Sequence, residues 1–405
     1  MIVGQVDPFV ADSAGRRVLP SFSLAERDRR FGRVRELMAE ASLDCLLLPA
    51  TDVGEAQANS RYLSQIGGVQ GGAWVVFPVS GEVTAIVAAE RELRMWKNQL
   101  RWPEDLRFGR HSEMVVQCLQ ELGLDHARIG IVGLVNQHMR EEGVIPYETW
   151  RRISSSLPQA SFIPANEVLE RARVVKGPEE VAVVRRIVEA DEAAIARMVE
   201  VARLGVEEGT VWLALCQVLT AYTADTPARL SLGSNGRPAN DSNSMALPIR
   251  MEDGGVLSQE IDARLQGYRA QCNHSILVGS KNADAYRQAM NGAIEVFQGL
   301  VEWIRPGRTV GEFQAECSRL ARARGGEVGG VVMHTCGLGQ DRPRPLAARP
   351  GDQDWVITTG WTFTIKPHFH VEATGVGAQI GEPVTVDDKG ARRLGQRDLS
   401  PIVSG

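Results

Sequence analysis

The sequence predicts an α/β (α+β) protein in two parts, a smaller N-terminal domain over residues 1–165 and a larger C-terminal domain over 166–405. Three observations carry this expectation. A chain of 405 residues is long enough for two or three domains and a substantial core. Short apolar runs alternate with turn residues through the first part. The second part carries a faint internal repeat, which points to a pseudo-twofold unit rather than a solenoid.

In chain order, an irregular arm precedes a helix expected over about Leu24–Ala41, where Ser23 and Glu26 have the spacing of a capping box. Leu43-Asp-Cys-Leu-Leu-Leu-Pro reads as a buried strand. Residues 61–68, 73–78 and 82–87 alternate strand with turn, and Arg128-Ile-Gly-Ile-Val-Gly is a further strand. A helix is expected around Tyr147–Leu157. Pro178 then opens a long helix running to about Ala202, with Glu179 and Glu180 in its first turn favouring the helix dipole. The repeat follows. Ala202-Arg-Leu-Gly-Val-Glu-Glu-Gly-Thr-Val-Trp and Trp303-Ile-Arg-Pro-Gly-Arg-Thr-Val-Gly-Glu-Phe share a helix end, a glycine stop, a polar cap and a new helix.

Composition narrows the function classes. The net charge of −5 is small and mixed, which indicates neither a nucleic-acid nor a membrane partner. No apolar stretch is long enough to span a bilayer. The N-terminus lacks a basic region followed by an apolar run, so a cytoplasmic protein is expected. Six cysteines without CxxC spacing read as reduced, mostly buried thiols, although Cys272 and Cys336 lie inside motif segments.

The most informative segments are Glu260-Ile-Asp-Ala-Arg-Leu-Gln-Gly-Tyr-Arg-Ala-Gln271 and Thr362-Phe-Thr-Ile-Lys-Pro367. With them come Val175-Lys-Gly-Pro-Glu-Glu180, Gly233-Ser-Asn-Gly-Arg-Pro238, Ile304-Arg-Pro-Gly307, residues 333–343 and the closing run from Ile380. Their order resembles the pita-bread superfamily of methionine aminopeptidase, aminopeptidase P and creatinase. The first 165 residues are similar to the non-catalytic N-terminal domain of creatinase and aminopeptidase P. The resemblance implies a pita-bread catalytic domain and a homodimer, with the glycine-rich stretch Gly67–Gly72 near a partner's cleft.

The departures from that pattern are chemical. Two metal-binding aspartates are implied at the positions held by Glu260 and Gln271, a histidine at His334 or Cys336, and two glutamates at Lys366 and Gly381. A neutral amide is a poor ligand for a dication, and an ammonium has no lone pair to give. No metal and no other cofactor is therefore expected. Asn240–Ser244, Asn243 among them, stand where the family keeps a proton-shuttling histidine.

Glu260, His334 and Lys366 are the candidate catalytic residues. A partly desolvated carboxylate can be a base, a nucleophile or a clamp on a cationic nitrogen; its structural alternative is an ion pair with Arg264 or Lys366. Lys366 can neutralise Glu260, polarise a substrate oxygen, or lose its proton and act as base. Candidate substrate contacts are Gln271, Tyr268, Asn243, Arg229, Arg237, His274, Cys336, His368 and His370. His368, His370 and Glu372 share one strand face, which leaves open a relocated metal site or plain polar surface. These residues favour a metal-independent, creatinase-like hydrolase that cleaves a C–N bond of a small amide- or guanidino-type molecule. The alternatives are an inert binding module on the same fold and a lyase.

Overall fold

The computed structural model describes residues 22–51, 57–67, 72–100, 102–135, 142–239, 245–339, 342–344 and 352–405. The chain divides into two compact units, residues 1–173 and 174–405.

The first unit is built on one six-stranded mixed sheet. Its order across the sheet is Asp105–Phe108, Thr84–Val87, Trp74–Pro78, Cys45–Leu48, Arg128–Ile131 and Ser161–Pro164. The central strands are buried along their whole length, which explains their unbroken apolar sequences. The helix Leu24–Glu40 begins as its sequence requires, with Ser23 Oγ accepting from the Glu26 backbone at 3.1 Å. The Glu26 carboxylate is held by Arg29 and Arg30, and the buried Arg30 guanidinium lies 4.3 Å from the centre of the Phe22 ring. A charge is tolerated there because it is paired and lies over aromatic faces.

The second unit opens with the helix Pro178–Val201. The repeat seen in the sequence is present in space. Pro178–Val201 leads to Glu208–Thr223, and Ala283–Trp303 leads to Val310–Arg322. In both copies the start of the second helix is tied to a later segment. Glu208 and Gly209 donate to the carbonyls of Ile249 and Leu247, while Val310 and Gly311 donate to those of Trp355 and Gln353.

Two larger sheets follow. One runs Ile402–Ser404, Ile276–Val278, Gly255–Asp262, Arg229–Gly233; the other runs Gly326–Gly329, His368–Val371, Gly377–Asp387, Thr362–Ile365, Met333–Thr335. Asn273–His274 joins the halves by pairing with the long strand Gly377–Asp387, in the register Asn273↔Gly381 and His274↔Ile380. Arg264–Leu265 and Tyr268–Arg269 form a hairpin across Gln266 and Gly267, whose φ angles are +53° and +81°. Two successive left-handed residues define the tight turn that matches strand twist, and glycine takes the second position at no steric cost. Among the described residues no helix is long and apolar enough to cross a membrane.

Candidate functional site

Four side chains from four strand or strand-end positions meet inside the second unit. Glu260 comes from Gly255–Asp262, and Gln271 lies just before Asn273–His274. His334 comes from Met333–Thr335, and Lys366 ends the strand Thr362–Ile365. The pairing His334↔Thr364 sets the last two strands side by side. All four groups are buried, with Gln271 and His334 at 1% exposure and Glu260 and Lys366 at 7% and 6%. The two charged groups are thus the more open pair, and the imidazole sits behind them.

Lys366 is the hub. Its Nζ lies 2.8 Å from Glu260 Oε1 and 3.0 Å from Gln271 Oε1. Gln271 Oε1 also lies 2.6 Å from His334 Nε2, so the amide links the lysine to the imidazole. The second carboxylate oxygen of Glu260 is 2.7 Å from Arg229 Nε. The sequence expectation named Arg264 or Lys366 as the ion-pair partner; Lys366 is that partner, while Arg264 binds Asp225 at 3.0 Å.

The electrostatics follow from this arrangement. Burial opposes ionisation of Glu260, but Lys366 and Arg229 outweigh it and hold the carboxyl below its ordinary range. Burial also weakens the Lys366 ammonium; Glu260 counters this, while Arg344 and Arg229 reinforce it, and the net shift is downward. His334 is driven well below the usual imidazole range by burial and then by the Lys366 charge, with Arg269 and Arg344 adding to it. An imidazolium is therefore strongly disfavoured there.

A dinuclear metal site does not fit these residues. The Lys366 ammonium already occupies the point where Glu260 and Gln271 converge. At Gly381 a β-carbon would stand 2.9 Å from Asn273 Cβ and closer still to its amide oxygen, so the place of a side chain there is filled. Asn273 is fixed by donating from Nδ2 to the Gln259 carbonyl at 2.5 Å. His368 and His370 are tilted neighbours with ring centres 4.2 Å apart, while Glu372 is exposed and lies beyond the strand His368–Val371. Among the described residues no group of three or more His, Cys, Asp or Glu side chains is placed to hold a metal.

The other candidates lie apart from the four-residue cluster. Tyr268 donates to Glu180 Oε1 at 2.9 Å, and Arg237 is paired with the fully buried Glu208. His274 is buried, facing Arg397 with Nδ1 and the Ser400 carbonyl with Nε2 at 3.1 Å; burial and then Arg397 lower its pKa to about 3. Cys336 is buried, and burial pushes its thiol up to about 12. Of the two candidates for the family's histidine position, His334 therefore joins the cluster. Asn243 and residues 68–71 lie outside the described residues.

Sequence reasoning missed Arg344, Arg397 and the Asn273–Gly381 packing. Arg397 lies 2.6 Å from Glu382 Oε1 and donates to the Asn273 carbonyl at 2.8 Å, so it fixes the strand that carries Gly381. A glutamate in an apolar strand was the available signal, because a fully buried carboxylate requires a cationic partner.

Comparison with known proteins places this geometry. The model of Metallopeptidase family M24 matches residues 182–388, and that of the Creatinase/Prolidase N-terminal domain matches residues 30–175. The chain is 22% identical to a Xaa-Pro dipeptidase of Pyrococcus furiosus, covering 80% of this chain and 87% of that protein. It is 21% identical to a creatinase of a Bacillus species, covering 91% of this chain and 89% of that one. Its fold is similar to that of a Xaa-Pro dipeptidase from Bacillus anthracis, with a TM-score of 0.76 at 20% identity, covering 93% and 99% of the two chains.

Proposed function

We propose that this chain, which belongs to Metallopeptidase family M24, is a metal-independent hydrolase that cleaves a C–N bond in a small polar amide- or guanidino-type molecule. The observation that carries the reading is the cluster at the family's metal positions. Glu260, Gln271, His334 and Lys366 still converge, but around an ammonium held at 2.8 and 3.0 Å. A tethered cation in a dry site can perform part of the work of a Lewis acid, because it stabilises negative charge developing on a substrate oxygen or nitrogen. Similarity to a creatinase supports the choice of a small non-peptide substrate.

Within this reading Glu260 anchors the charge. Both its oxygens are engaged by cations, so it is a fixed anion that orients Lys366 and Arg229. Lys366 is the charged donor of the cluster with protons to exchange. His334 is too deeply buried to meet a substrate directly and acts through Gln271. Arg229, about one-third exposed, lies where it can meet a substrate carboxylate with its fork. We further propose a cytoplasmic homodimer.

The test is hydrolysis of a panel of small amides, ureas and guanidino acids by purified protein, before and after exhaustive chelation. Turnover that survives chelation and is lost in Glu260→Gln, with the fold intact by circular dichroism, is expected. Turnover that depends on a stoichiometric metal, or that Glu260→Gln leaves near native, would sink the reading. The family's Xaa-Pro dipeptide substrates belong in the same panel, since cleavage of those alone would restore a peptidase.

A further inference from the structure

The spare hydrogen-bonding capacity of the cluster lies on its donors. Lys366 Nζ carries three hydrogens, and two are taken by Glu260 Oε1 at 2.8 Å and Gln271 Oε1 at 3.0 Å. Among the described residues nothing accepts the third. The ammonium also fixes which way the Gln271 amide faces, because its NH₂ group in that place would set donor against donor. The amide oxygen thus lies between Lys366 Nζ and His334 Nε2, the latter at 2.6 Å, with both lone pairs engaged. Gln271 Nε2 is left on the side of Glu260, whose charge the amide helps to hold. It is buried, and among the described residues it makes no hydrogen bond. A buried donor without an acceptor is costly, and a bound oxygen would relieve that cost.

The acceptors are already committed. Glu260 holds a cation on each oxygen, Lys366 on one and Arg229 at 2.7 Å on the other. One carboxylate therefore faces two cations, and Arg344 acts on Lys366 as a further positive charge. A guanidinium brought here would add another like charge. Its N–H groups would compete with Lys366 and Arg229 for oxygens that these already hold. A neutral carbonyl oxygen meets no such opposition. Nε2 belongs to the same amide as the oxygen that Lys366 holds, so one incoming oxygen can lie within hydrogen-bond reach of both nitrogens. The cluster reaches solvent along Arg229, whose side chain is 34% exposed while its Nε touches Glu260.

We infer that Lys366 Nζ and Gln271 Nε2 form a subsite for a neutral carbonyl oxygen, so that this site takes amides and ureas and refuses guanidino compounds. This names the substrate class within the hydrolase reading and rests on that reading for the place of the substrate. Gln271 is then a specificity-determining residue. Its amide oxygen anchors Lys366, and its amide nitrogen supplies the second donor.

The test uses ligand pairs that differ only in an oxygen exchanged for an NH₂⁺ group: acetamide and acetamidinium, urea and guanidinium, ureidoacetate and guanidinoacetate. Binding to the full-length protein would be measured by ligand-observed NMR at neutral pH. In every pair that binds, the carbonyl member should bind tighter on the order of 10–100-fold, the range for a hydrogen bond to a charged group. Gln271→Met keeps the length of the side chain and removes the amide. It should weaken the carbonyl members and leave the cations where they were, whereas damage to packing alone would weaken both alike. A further check needs no variant: the carbonyl stretch of ¹³C-labelled ureidoacetate should fall in frequency on binding to the wild-type protein. A cation that binds as tightly as its carbonyl partner, no binding by any carbonyl member, or an unshifted stretch would each overturn the inference. Carbonyl binding without turnover leaves the subsite standing and removes the hydrolase reading, and turnover of a guanidino compound does the reverse.

Discussion

Asn273 and Gly381 face each other across an antiparallel pair, and the asparagine side chain fills the volume that any side chain at Gly381 would need. Gly381→Ala should therefore destabilise the protein by about 1–3 kcal/mol through overpacking. Asn273→Ala in the same chain should recover part of that loss. Urea unfolding of the two single variants and the double variant measures the coupling. Purely additive effects would show that the two residues do not share the space.

Elemental analysis after incubation with zinc, manganese or cobalt should find less than one metal bound per chain at these positions. Chelators should leave the melting temperature unchanged. The reason is local: an ammonium within hydrogen-bond reach of Glu260 and Gln271 repels a dication from the point at which those residues converge. Two tightly held metals per chain would contradict this.

Lys366→Met leaves Glu260 with Arg229 as its cationic partner. Burial is the largest influence on this carboxyl, and Lys366 is the first of the groups opposing it. Removing the ammonium form should raise the Glu260 pKa, as read by ¹³C titration of the carboxyl group. Activity should fall on the order of 10²–10⁴, the range for loss of a general acid or base. A Lys366→Met enzyme with near-native turnover would exclude the lysine from proton transfer.

Asp191 offers a test of stability against pH. Its carboxyl is fully buried; Oδ1 accepts from the Ala263 backbone at 2.9 Å, and Oδ2 has no partner. Burial raises its pKa well above the ordinary value, and the nearby Glu382 and Glu192 carboxylates add to the rise. The folded state thus holds this proton more tightly than the unfolded chain does. Stability from this group is full at low pH and is lost as pH rises above the ordinary carboxyl range. Asp191→Asn keeps an acceptor for Ala263 and cannot ionise. Its melting temperature should gain on the wild type steadily towards alkaline pH, and a constant difference would refute the assignment.

Much of this molecule was legible in its sequence because the signals are local. Ser23 three residues before Glu26, Pro178 at a helix start and Gly267 at a hairpin each state a backbone requirement within a few positions. The spacing of Glu260, Gln271 and Lys366 against known motifs indicated a cleft without its usual ligands. What escaped was long-range. The pairing of Arg229 with Glu260 depends on the register Ser231↔Glu260, and the closure of the Gly381 position depends on Asn273↔Gly381. No local pattern encodes such registers. His274 misled for a related reason: its motif position suggested a pocket, but Arg397, more than a hundred residues later, takes its free nitrogen.

The Lys366–Glu260 pair also bears on descent. Suppose a lineage were to regain a metal from this chain one substitution at a time. Lys366→Glu alone would set two buried carboxylates against each other with Arg229 as the cation paired to Glu260, and Gly381→Glu alone would collide with Asn273. Both of these first steps back are harmful before any benefit can appear. The tethered ammonium therefore behaves as an evolutionary ratchet, and chains that share it should inherit Lys366, Gln271, Asn273 and Gly381 together, as one unit.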